Sequence, residues 1–117
     1  MSAIDRWLKA YLHAWESDDP EDIAALFAAN IRYRSAPFRK PVVGRRRVVD
    51  WWLRRGDSAV VWKNRHKVIA RQGDLCVVQG TTRYPRESGD AQVFHNLWLI
   101  RLDRDGRVLL RYSGTEQ

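Results

Sequence analysis

The chain has 117 residues, 44% of them hydrophobic and 30% charged, with six Trp. That is a length for one domain with its own core, over residues 1–117, and too short for two. No apolar run approaches the length that crosses a bilayer. Asp5, Arg6 and Lys9 interrupt the first ten residues, unlike a secretory signal, and a cytoplasmic location is the expectation. The 21 Lys and Arg against 14 Asp and Glu leave a net charge of +7, but no nucleic-acid motif accompanies it. A solvated basic surface is expected, and a nucleic-acid partner is not.

In chain order, residues 2–17 predict a helix. Ile4, Trp7, Leu8, Tyr11, Leu12 and Trp15 fall at three-and-four spacing, and Ser2 is placed to cap it. Asp18, Asp19 and Pro20 stop that helix and start a second over residues 21–29, with Ile23, Leu26 and Phe27 on its buried side. Residues 31–35 read as a short strand and 36–44 as a loop. A third helix spans 45–54, with Val48, Val49, Trp51, Trp52 and Leu53 apolar and Gly56 past its end.

Long strands follow. In residues 59–69, period two puts Trp62, Asn64, His66 and Val68 on one face and Val61, Lys63, Arg65, Lys67 and Ile69 on the other. A strand with one charged face turns its other face to the core, so the amide and the imidazole need buried partners or a ligand. Gln72-Gly73-Asp74 is a hairpin turn. Residues 75–84 form a strand that starts apolar on both faces and holds Cys76 as a small buried hydrophobe. In residues 92–102, Phe94, Asn96, Trp98 and Ile100 oppose His95, Leu97 and Leu99. After an Asp-Gly turn, residues 107–113 alternate Val108, Leu110 and Tyr112 against Leu109 and Arg111.

Helices followed by antiparallel strands predict an α+β fold. The three helices would cover one face of a curved sheet and enclose a pocket. Leu97, Leu99 and Val77 or Val78 make the second face apolar as well, which predicts a homodimer through the outer sheet face.

Three runs carry a family resemblance: Tyr11-Leu12-x-Ala14-Trp15-x-x-x-Asp19-Pro20-x-x-Ile23-x-x-Leu26-Phe27-Ala28, Pro37-Phe38-x-x-Pro41-Val42-x-Gly44-Arg45-x-x-Val48-Val49-x-Trp51-Trp52-Leu53, and Asn96-Leu97-Trp98-x-Ile100-Arg101-Leu102-Asp103-x-x-Gly106-Arg107-Val108. Together they span most of the chain, and it resembles the SnoaL-like proteins of the nuclear transport factor 2 superfamily. The resemblance implies a cone-shaped α+β fold, a curved sheet wrapped on a long helix, an internal cavity and often a dimer. It leaves the activity open, since the superfamily holds ketosteroid isomerases, polyketide cyclases, epoxide hydrolases, dehydratases and proteins without chemistry.

Laid on the ketosteroid-isomerase pattern, Tyr11 matches the tyrosine, but the base position falls at Ser35 and the acid position at Trp98. Both carboxylates are missing. The strand faces read as inner carry no Asp or Glu, and the Asp-Arg-Asp set of the epoxide hydrolases cannot be assembled. His66 is then the candidate for proton transfer, with Tyr11 or Asn64 as oxyanion donor. Trp15, Tyr33, Trp62, Asn64, Asn96 and Trp98 are the expected lining of a ligand pocket. The competing reading has His66 and Asn64 bonding each other or the backbone in a filled core, or lying near the open rim.

Three His and one Cys show no metal-ligand spacing, and no phosphate loop or nucleophile elbow occurs, so neither metal nor cofactor is expected. Arg45, Arg46 and Arg47 open the third helix, where positive charge opposes the helix dipole. Lys63, Arg65 and Lys67 stripe an outer strand face. The functions expected are a small-molecule-binding domain, an enzyme of the isomerase, cyclase or dehydratase type using His66, or an interaction module using the sheet or the basic surface.

Overall fold

A computed structural model describes residues 2–34, 39–55, 63–84 and 89–116. Helix α1, Ala3–Ser17, is capped by the Ser2 side chain and buries Ile4, Trp7, Leu8, Tyr11, Ala14 and Trp15, the expected stripe. Asp18 ends it in the left-handed region (φ 52°), its N–H donating to the Ala14 carbonyl. Asp19 then caps α2, Pro20–Ala24, accepting from the Glu21 N–H at 2.9 Å.

Helix α2 is one turn long, not the nine residues expected. Strand β1, Phe27–Arg34, begins where that helix was to continue. The helix-favouring alanines lose to tertiary pairing. The Trp7 indole N–H donates to the Leu26 carbonyl at 2.9 Å, and the same oxygen accepts from Val108 N–H at 2.9 Å. Phe27 pairs in parallel with Val108, and Leu26, Phe27 and Ala28 are buried. Local propensity, a few tenths of a kcal/mol per residue, is the weaker term.

Strand β2, Val42–Val43, returns along β1, and helix α3, Arg45–Arg55, follows. Gly44 joins them at φ +96°, a conformation that disfavours a side chain. Strands β3 (Lys63–Gln72), β4 (Leu75–Tyr84), β5 (Gln92–Leu102) and β6 (Val108–Glu116) complete a curved six-stranded sheet in the order β2-β1-β6-β5-β4-β3. Among the described residues only the β1–β6 pairing is parallel. The fold is α+β, as expected. The part of the expected strand 59–69 before Lys63, with Trp62, lies outside the described residues, as do Ser35 and Gly56.

The core lies between the helices and one face of the sheet, where Trp7, Tyr11, Trp15, Ile23, Phe27, Ile31, Val48, Trp52, Val78, Trp98, Ile100 and Val108 pack together. In β5, Asn96, Trp98 and Ile100 face inward while Leu97 and Leu99 stay 50% and 39% exposed, as the alternation requires. Cys76 is buried, which pushes its thiol pKa up.

Strand β6 departs from simple alternation. Leu102 pairs with Val108 but Arg101 pairs with Leu110, so Leu109 is an extra residue, a bulge. A one-residue slip flips every later side chain. Val108 faces in, and beyond the bulge so do Arg111 and Ser113, at 4% and 5% exposure.

Candidate functional site

Register places the candidate side chains on one face. His66 on β3, Gly80 on β4 and Asn96 on β5 lie in one cross-strand row. Asn64 and Thr82 pair in the adjacent row, and Val78 and Trp98 in the row on the other side. Gly80 shapes the site by what it lacks. A Cβ there would overlap His66 Cδ2 and the Arg65 carbonyl oxygen. The His66 ring crosses the gap and stacks on Trp98, centroids 4.1 Å apart and planes 19° apart. Tyr11 from α1 closes on both rings edge-on, at 6.0 Å from His66 and 5.0 Å from Trp98.

The Asn96 amide donates to Thr82 Oγ1 at 2.8 Å and lies 3.2 Å from His66 Nε2. With the Asn96 NH₂ as donor, Nε2 accepts and Nδ1 carries the proton. Nδ1 is buried with no partner. So are both polar atoms of the Asn64 amide and the Trp52 indole nitrogen. Desolvation first, and the Arg111 charge second, lower the His66 pKa to about 4. His66 is therefore neutral at pH 7.

Arg111 is the buried cation of this region. Its guanidinium carbon sits 4.0 Å from the Trp98 ring centre, 4.8 Å from Tyr33 and 5.4 Å from Tyr11. Its Nε is buried without a hydrogen-bond partner. Among the residues whose side chains are described, no Asp or Glu is buried. Aromatic rings surround the cation, and no carboxylate with a described side chain is buried with it.

The structure brings His66, Tyr11, Asn96 and Trp98 into direct contact. Asn64 stands beside this group, in register with Thr82. Tyr33 joins through Arg111, its cross-strand neighbour. Trp15 packs at the far side of Tyr11, against Trp52 at 5.4 Å. Trp62 lies outside the described residues. His66 bonds Asn96, and the expected alternative of a His66–Asn64 pair is not formed. His13 lies on the surface beside Asp22, and His95 is exposed on the outer face. No three His, Cys, Asp or Glu side chains gather to hold a metal among the described residues.

Sequence reasoning missed Arg111, Gly80, Thr82 and Trp52 as parts of this site. Gly80 carried a signal, since glycine inside a strand marks a close approach. Arg111 carried one only if the bulge at Leu109 was known.

Solved structures with this fold differ in what they are described as doing. An LEH-like epoxide hydrolase of M. tuberculosis superposes with a TM-score of 0.68 at 19% identity, over 95% of this chain and 80% of that one. A steroid delta-isomerase of Pseudomonas aeruginosa gives 0.71 at 17% identity, over 100% and 82%. An NTF2-like protein of unknown function from Burkholderia pseudomallei gives 0.71 at 18% identity, over 99% and 92%. At these identities the likeness is one of fold. No curated protein sequence matches the chain. Residues 8–110 match the SnoaL-like domain, and with the helix-then-sheet architecture described above, the chain belongs to the SnoaL-like family.

Proposed function

We propose that this chain is a small-molecule-binding domain that takes an apolar or aromatic molecule between α1, α3 and the inner face of β3–β6. One observation carries the reading. Buried polar atoms of His66, Asn64, Trp52 and Arg111 lack partners in a region otherwise walled by Tyr11, Trp98 and Tyr33. Each unsatisfied buried group costs about 1–3 kcal/mol, a standing cost that a bound molecule would remove. Aromatic walls with a few oriented polar groups are what small-molecule sites are made of. The domain is proposed to work as a homodimer through the outer face around Leu97 and Leu99.

Saturable quenching of tryptophan fluorescence by aromatic probes tests the binding, because Trp98 lies in the site. Failure of every probe to bind or to raise the melting temperature would sink it. Scattering mass tests the dimer, and a monomer at high concentration would refute it.

Catalysis is the second reading, motivated by a His kept neutral at pH 7. A general base needs the Nδ1 lone pair, hence the other tautomer, with the Asn96 amide turned so that its oxygen accepts from Nε2–H. A pKa of about 4 also makes His66 a weak base. Nitrogen-15 shifts of His66 decide between the two: protonated Nδ1 supports a hydrogen-bond donor to ligand, and unprotonated Nδ1 restores the base.

A further inference from the structure

We infer that Arg111 is the anion-binding residue of this site, and that the molecule the domain takes carries a carboxylate beside its apolar body. This rests on the small-molecule reading above and names the chemistry of its ligand.

Four observations converge. Arg111 is 4% exposed on the inner face of β6, and a guanidinium cannot discharge by losing a proton. Burying an ion costs several kcal/mol even after the surroundings relax. Cation–π contact with Trp98, Tyr33 and Tyr11 returns part of that. The rings offer the guanidinium N–H groups no lone pair, however. Nε is buried and unpartnered.

The second observation is the absence of a carboxylate. No Asp or Glu is buried among the residues whose side chains are described, so these supply no counter-charge in the core. Third, the unpartnered atoms are mostly donors: Arg111 Nε–H, Trp52 Nε1–H, His66 Nδ1–H as its ring is bonded, and the Asn64 NH₂, against one acceptor, Asn64 Oδ1. A surplus of donors calls for an acceptor-rich partner. Fourth, the excess is ionic as well as directional. A neutral carbonyl would satisfy one or two N–H groups and leave the charge, whereas a carboxylate matches the guanidinium fork with two parallel bonds.

The alternative is an arginine retained only to fill the core. Probe pairs differing in charge and little in shape separate the two. Wild-type protein would be titrated at pH 7.5 with trans-cinnamate against cinnamamide and with 1-naphthoate against 1-naphthamide, by calorimetry and tryptophan fluorescence. The acids are expected to bind at least about 10-fold more tightly than their amides. Arg111→Gln should abolish that preference, and Arg111→Lys should keep part of it. Equal affinity of acid and amide in the wild type overturns the inference and leaves the small-molecule reading standing. A preference that survives Arg111→Gln overturns the role of Arg111. Binding of no probe overturns both. Should the variants fail to fold, the Arg111 Nε–H resonance of the wild type decides: it should shift with the acids and not with the amides, and an unmoved resonance on acid binding rejects the proposal.

Discussion

The two faces of the sheet treat the same residue types in opposite ways. On the outer face Arg101 is exposed and lies 3.7 Å from Asp74, and Arg65 and Lys67 stand in water. These charges are hydrated, and an exposed pair contributes about 0–1 kcal/mol. On the inner face, beside Ile100, Arg111 is buried with its Nε unpartnered, and no carboxylate with a described side chain is buried with it. The outer face can vary its polar groups cheaply. The inner face bears a cost for each of His66, Asn64 and Arg111, and the proposed function rests on these few side chains.

The contrast can be broken hardest at Gly80. Gly80→Val would drive a side chain into His66 and the Arg65 carbonyl. A loss of about 3 kcal/mol in urea unfolding is expected, with His66 expelled from its stack. A wild-type midpoint would show that the close approach is dispensable.

Lowering the pH is the next largest effect. The unfolded chain takes up the His66 proton near the ordinary 6.5, but the folded chain only near 4. Between those values the unfolded state binds more protons, so stability is full above pH 6.5 and falls as pH drops towards 4. The loss is at most about 3 kcal/mol. His66→Gln should flatten this slope in parallel urea titrations at pH 7 and pH 4, and an unchanged slope would assign it to other groups.

Asn96→Leu should cost about 2 kcal/mol, since it strands His66 Nε2 and Thr82 Oγ1 together. Arg111→Met is expected to leave ligand-free stability unchanged or raise it by about 1 kcal/mol, because it removes a buried charge whose Nε is unpartnered. It should also raise the His66 pKa, measured by proton NMR, by deleting the second cause of its depression. A clear destabilisation would mark Arg111 as a structural cation. Smallest of all, Leu97→Lys with Leu99→Lys on the outer face should change monomer stability by less than about 0.5 kcal/mol, while halving the scattering mass if that face joins two copies.

Much of the inner face was legible in advance. Asn64, His66, Asn96 and Trp98 lie on the expected side of their strands because a strand's two-residue period is a local property. The capping at Ser2, Asp19 and Pro20 was legible for the same reason, since each acts within one helical turn. The length of α2 was not. Ala24 and Ala25 favour helix locally, yet the pairing of Phe27 with Val108 ends it from across the chain.

What the sequence by itself determined is therefore the element order, the α+β class and the face on which His66 sits, all consequences of short-range periodicity and capping. Tertiary structure alone decided that His66 bonds Asn96 and not Asn64, that the ring reaches Trp98 through the space above Gly80, and that the bulge at Leu109 turns Arg111 inward. Each depends on strand register, which sums contacts from distant segments, and a slip of one residue reverses which side chains meet.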